Sequence, residues 1–154
     1  MPPEFSYSFQ GFDPVSQVRA SSREVNVSPK FAREVCKAIK GMMLHSAQAY
    51  LEKVMKLEAA VPYRRYKKKV GHRSNLFEFH AGGYPVKAAK FVLATLKNLE
   101  ANAEFKGLDA ERIIVQHAAA SRGRVIKDFV PRAFGRSSPN YHVLVHIELV
   151  GRES

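Results

Sequence analysis

This 154-residue chain has a single cysteine, no tryptophan, few acidic residues and no long apolar run. Cys36 alone forbids an intramolecular disulfide, and it falls on an apolar helical stripe, so burial is expected of it rather than reactivity. A reducing compartment fits. No segment approaches eighteen uninterrupted apolar residues, and Met1-Pro2-Pro3-Glu4-Phe5 has neither the basic region nor the apolar run of a leader. A soluble, cytoplasmic chain without a membrane span is therefore expected. The chemistry of common enzymes is missing as well. There is no phosphate-cradling glycine-rich loop ahead of a helix, no nucleophile elbow, and no His/Cys/carboxylate cluster at ligand spacing. His142 and His146 are four apart on an expected strand, which gives them one face but separates them too widely to share an ion. Catalytic residues, metals and cofactors are not expected.

What the chain has is positive charge. Twenty-five Lys and Arg stand against fourteen Asp and Glu, a formal charge of +11. Net charge speaks to partners rather than to fold, and this excess calls for a polyanion, nucleic acid before a membrane surface. A hydrophobic content of 45% argues against a disordered tail.

The length suits one domain over residues 1–154. Residues 1–17 read as an irregular arm, and Val18 to Val27 as a strand leading to Ser28-Pro29, an N-cap with proline at the first helical position. Ala32, Val35, Cys36 and Ile39 form the buried stripe of a first helix that stops at Gly41. Ala47, Tyr50, Leu51, Val54 and Leu57 predict a second helix from about Ser46. Residues 59–83 read as a long loop. A third helix opens at Tyr84-Pro85, runs along Ala89, Val92, Leu96, Leu99 and Ala103, and ends at Lys106-Gly107. Gly82-Gly83 just ahead of it is either a plain turn or an anion site at the helix N-terminus. Arg112 to Val115 and Tyr141 to Val150 read as antiparallel strands. The class is α+β: three helices packed on a small antiparallel sheet, with a long projecting β-hairpin over about 118–140.

That hairpin carries Arg122, Arg124, Lys127, Arg132 and Arg136 against one acid, Asp128, and reads as poor in large apolar residues. Ten residues a side would reach about 30 Å. Pro131 and Gly135 place the bend between them. A solvated surface loop is the plain alternative, but length and one-signed charge together favour phosphate contact. A second basic segment interleaves Arg64, Arg65, Lys67, Lys68, Lys69, His72 and Arg73 with Tyr63, Tyr66, Phe77 and Phe79. Arginine forks and backbone amides can hold phosphate, and aromatic faces can stack on unpaired bases, unless those rings fold onto the core. Arg19, Arg23 and Lys30 form a weaker third patch. The residues alone thus support an RNA-binding protein; an architectural DNA-binding protein with its arm in a groove is the alternative, and an RNA-modifying enzyme has no positive sign.

Several segments go further. Pro131-Arg132-Ala133-Phe134-Gly135-Arg136 with the strand His146-Ile147-Glu148-Leu149, then Val61-Pro62-Tyr63-Arg64-Arg65-Tyr66, Val70-Gly71-His72, the run from Leu96 to Glu104, and Lys106-Gly107-Leu108-Asp109 resemble the family of large-subunit ribosomal protein twenty-two. The eukaryotic counterpart is numbered seventeen, and the likeness is to the archaeal and eukaryotic branch over about Val18 to Val150. The resemblance implies a structural constituent of the large subunit that binds rRNA and aids assembly, with neighbouring ribosomal proteins beside it. It also implies a hairpin that lines the polypeptide exit tunnel. Arg132, Ala133, Phe134, Gly135 and Arg136 would then lie at the tunnel wall near the nascent polypeptide, and Arg122, Arg124 and Lys127 would clamp rRNA. Bacterial members also use this hairpin in macrolide response and nascent-chain sensing, but Arg122 to Val130 departs from their tip.

Overall fold

The computed structural model describes residues 6–77 and 79–154. The leader reading of Met1 to Phe5 lies outside them, as does the start of the irregular arm. Strand β1 (Gln17–Val25) leads to helices α1 (Pro29–Ile39) and α2 (Leu44–Met55). A two-residue ribbon follows, β2 (Val61–Pro62) with β3 (Gly82–Gly83), then the long helix α3 (Val86–Lys106). A 3-10 turn at Ala110–Arg112 opens β4 (Ile113–Pro131), which bends into β5 (Ser137–Glu153). The main sheet has the order β1-β5-β4 and is antiparallel throughout. The α+β class and the hairpin stand as expected.

The amphipathic stripes explain the layers. Ala32, Val35, Cys36 and Ile39 of α1, Ala47, Leu51 and Val54 of α2, and Val92, Leu96, Leu99 and Ala103 of α3 are buried in one cluster. Against them lies the inner face of the sheet, made of Val18 and Ala20 of β1 and Val145, Ile147 and Leu149 of β5. Each large aliphatic side chain buried here contributes about 1.5–3 kcal/mol. Cys36 is 1% exposed, and burial pushes its thiol up to about 12, so no thiolate forms near neutral pH.

Four expectations need correction. Ser28 holds the N-cap position, but its side chain makes no capping bond. Helix α2 starts two residues early, at Leu44, and ends before Leu57, which is exposed with a positive φ of 64°. Arg112 belongs to the 3-10 turn, while both strands run far beyond their apolar segments, as β pairing continues to the bend itself. Gly82-Gly83 is not a plain turn: it pairs with Val61–Pro62. A Cβ on Gly82 would stand 2.4 Å from the Leu76 Cδ1 and 2.6 Å from the Val61 carbonyl oxygen. The backbone oxygen cannot move without breaking the ribbon. Gly82→Ala is accordingly expected to cost about 1–3 kcal/mol in chemical unfolding, as overpacking does; an unchanged midpoint would show that the ribbon yields.

Opposite the helices, the other sheet face is covered by the N-terminal segment. Glu148, 3% exposed, accepts hydrogen bonds from the Ser8 amide at 2.9 Å and the Ser8 hydroxyl, and pairs with His117 at 2.9 Å. Burial alone would raise its pKa, yet the Ser8 bonds and His117 together hold the carboxyl below its ordinary value. Phe9 packs on His117 with centroids 5.3 Å apart.

Candidate nucleic-acid interface

The basic segment after β2 is built on a buried acid. Glu34 of α1 is fully buried, and its carboxylate accepts from the backbone amides of Arg64, Arg65 and Tyr66, each at 3.0 Å. Arg33 completes the shell at 3.2 Å. Three consecutive amides bound to one carboxylate fix the backbone, and the arginine side chains of that turn are directed outward. Tyr66 becomes a hub: Lys30, Arg33 and Arg65 lie 5.7, 5.8 and 5.7 Å from its ring centroid. The structure thus brings Lys30, expected in a separate patch, into the same surface. Arg64 stands 5.1 Å over Phe79, and Arg73 5.3 Å over Tyr84. These contacts hold guanidinium groups in place while leaving their edges open to an anion.

The remaining residues of this segment divide. Lys67, Lys68 and Lys69 are exposed. His72 packs edge-on to His80 at 4.9 Å, and its backbone bridges Ala81. Phe77 is 89% exposed, and Phe79 stacks on His80 at 5.0 Å. Tyr63 is a correction to the ring series: it is buried, stacked on Phe31 at 5.5 Å, and unavailable to a base. Neither Glu34 nor Arg33 was singled out by the sequence.

The arm forms the second surface. From Ser121 to Asn140 it is exposed on nearly every residue and held mainly by pairing between its two strands, Val125 with Val143 through Pro131 with Ser137. Its root is shaped by two bulges, at Ser22/Val25 in β1 and Arg122/Val125 in β4, which lie opposite adjacent stretches of β5 that meet at Val145. The His146 side chain reaches a residue of each bulge. It accepts from the Glu24 amide at 3.1 Å, and a Cβ on Gly123 would meet its Nε2 at 2.7 Å. Glu24 also pairs with Arg124 at 3.5 Å. His142 instead meets Asn140 at 3.3 Å, so the two histidines serve separate contacts.

At the bend the Arg132 amide donates to the Arg136 carbonyl at 2.8 Å, enclosing a 3-10 turn at Ala133–Gly135. Phe134 and Gly135 both adopt positive φ, 57° and 67°, and the Phe134 side chain is 97% exposed. A left-handed phenylalanine is uncommon and costs about 1–2 kcal/mol. The arm is also richer in apolar groups than its sequence suggested: Val125, Ile126, Phe129, Val130 and Tyr141 are all exposed.

The third patch separates. Arg19 is sandwiched between Tyr7 and Phe12, at 4.9 and 4.8 Å from their centroids, and so ties the N-terminal segment to β1. Arg23 lies in the bulge of β1 near the root of the arm. Among the described residues no group of three or more His, Cys, Asp or Glu could hold a metal ion, and no helix is long and apolar enough to cross a membrane.

A family model described as ribosomal protein L22p/L17e matches residues 20–152, a stretch that takes in both basic surfaces and the whole arm. The chain belongs to that family. It is 48% identical to the large ribosomal subunit protein uL22 of Cenarchaeum symbiosum, over 98% of this chain and 99% of that one. The uL22 proteins of Archaeoglobus fulgidus and Methanopyrus kandleri are 46% and 45% identical, covering 94% and 97% of this chain and 94% of each of theirs. The L22p/L17e family is one of structural ribosomal components, not enzymes.

Proposed function

We propose that the chain is a structural constituent of the large ribosomal subunit, in the cytoplasm, where it binds rRNA, aids assembly and lines the polypeptide exit tunnel with its arm. The observation that carries the reading is the arm itself. A ribbon two strands wide, about 30 Å long by strand rise, stands beyond the core with five cations and one acid between residues 122 and 136. An isolated two-stranded ribbon is marginal in water, so a polyanion that packs around it supplies both charge balance and support. Arg122, Arg124 and Lys127 clamp rRNA along its length. Arg132, Ala133, Phe134, Gly135 and Arg136 stand at the tunnel wall, where Phe134 meets the nascent polypeptide.

On the domain, Lys30, Arg64, Arg65, Lys67, Lys68, Lys69, His72 and Arg73 contact rRNA phosphates, with Arg19 and Arg23 at its edge and neighbouring large-subunit proteins beside it. Replacing Arg64, Arg65, Lys67 and Lys68 by Gln is expected to make the salt dependence of rRNA binding shallower by up to about 3 in log–log slope, at roughly 0.7–0.9 for each phosphate no longer neutralised. An unchanged slope would make this surface a solvated face. Competition between large-subunit rRNA fragments and duplex DNA tests the wider reading: rRNA should win at every salt concentration, and equal or better DNA affinity would favour an architectural DNA-binding protein.

A further inference from the structure

Along β5, alternate residues face the helices. Leu149, Ile147 and Val145 are fully buried beneath them, and the same face continues beyond the helix layer as Val143, Tyr141 and Pro139. The core face of the sheet therefore runs on, uncovered, into the arm. What β4 presents there is set by its bulge. Arg122 pairs with Val145, but Val125 rather than Arg124 pairs with Val143, one residue having been inserted between them. Without that residue Arg124, Ile126 and Asp128 would stand opposite Val143, Tyr141 and Pro139, because a one-residue slip exchanges the two faces of a strand. With it, Val125, Lys127 and Phe129 take those places. The arm's one acid is moved to the opposite face, beside Asn140, and a ring takes its position.

The resulting surface holds Phe129, 55% exposed, and Tyr141, 51% exposed, edge to face with centroids 6.0 Å apart and planes at 89°. Pro139 lies across from Phe129, and Lys127 across from Tyr141. Along either strand the next side chain on this face stands about 7 Å away, which admits one planar ring at van der Waals contact on both sides. We propose that this inner face of the arm is a stacking platform for unpaired rRNA bases, with Phe129 and Tyr141 as its rings and Lys127 as its phosphate contact. It rests on the reading of the chain as an rRNA-binding protein. Charge selects the occupant: the face keeps a lysine and excludes the acid, which suits a base attached to phosphate better than a peptide of mixed charge.

The test uses the full-length chain and a large-subunit rRNA fragment over a salt series. Phe129→Ala with Tyr141→Ala should weaken binding at least about fivefold, since stacking is worth roughly 1–3 kcal/mol per base. The salt slope should not change, because no charge is removed. Phe129→Trp and Tyr141→Phe keep a π-face and should bind like the original chain, as should Ile126→Ser with Val130→Ser on the opposite face. Ultraviolet irradiation of the assembled subunit should join Phe129 or Tyr141 to rRNA. The platform is overturned if the double alanine variant binds rRNA unchanged while Arg132→Gln with Arg136→Gln still weakens binding, or if the adducts are to peptide. It is equally overturned if Phe129→Trp and Tyr141→Phe lose as much as alanine, since the rings would then serve only the arm's own packing. If the charge variant also leaves binding unchanged, the rRNA-binding reading of the arm itself fails.

Discussion

Replacing residues 124–138 by a short turn is expected to leave one cooperative unfolding transition while removing the greater part of rRNA affinity. The last β5 residue buried in the core on the arm side is Val145, paired with Arg122, and the residues beyond it touch mainly each other. Their removal takes no side chain from the cluster that binds helices to sheet. Thermal unfolding should shift by only a few degrees, the scale of about 1 kcal/mol in a domain of this size. The deletion removes Arg124, Lys127, Arg132 and Arg136 together. The log–log salt slope should become shallower by about 3, which amounts to a loss of at least 100-fold in affinity at low salt. Loss of the cooperative transition would place the arm within the core. A full transition with an unchanged slope would show that these cations do not meet phosphate.

Glu34→Ala is expected to have the second large effect, and a local one. The carboxylate accepts from three successive amides that nothing else in the structure satisfies as well. Hydrogen bonds to a charged group contribute about 1.5–3 kcal/mol each, and an amide left buried without a partner costs about as much. Water entering the gap recovers part of this, so a net loss of about 3 kcal/mol is the expected scale. Hydrogen exchange should show the Arg64, Arg65 and Tyr66 amides losing protection before those of α3 or β5. Glu34→Gln keeps one acceptor oxygen and should fall between. Equal loosening throughout the molecule would make Glu34 part of the general core instead of the anchor of the basic surface.

Glu34 also shows where the sequence stops being legible. The stripe of Ala32, Val35, Cys36 and Ile39 correctly marks one side of α1, but Glu34 lies roughly 200° round the helix from Ala32. That side would face water if nothing crossed it. It is buried because residues 64–66 fold back over it, a long-range event that helical spacing does not encode. The β2–β3 ribbon was hidden for a related reason: two residues on each side carry no alternation, and only the close approach at Gly82 shows why glycine stands there. The bend was legible because it is local, with Pro131, Gly135 and the flanking arginines in one short stretch. The rings of the arm were present in the sequence, but their shared face was not. It depends on an inserted residue near Gly123 that shifts the strand's alternation, and only pairing with β5 shows it.

On the proposed function, the arm enters the large subunit with its bend in the exit tunnel. A photo-reactive amino acid at position 134, in full-length chain assembled into translating ribosomes, tests this most directly. The bend should form adducts with the nascent polypeptide and with large-subunit rRNA, while a probe at Lys97 on α3 yields no nascent-chain adduct. A chain that fractionates away from large subunits, or a bend joined only to proteins on the subunit's outer surface, would contradict the account.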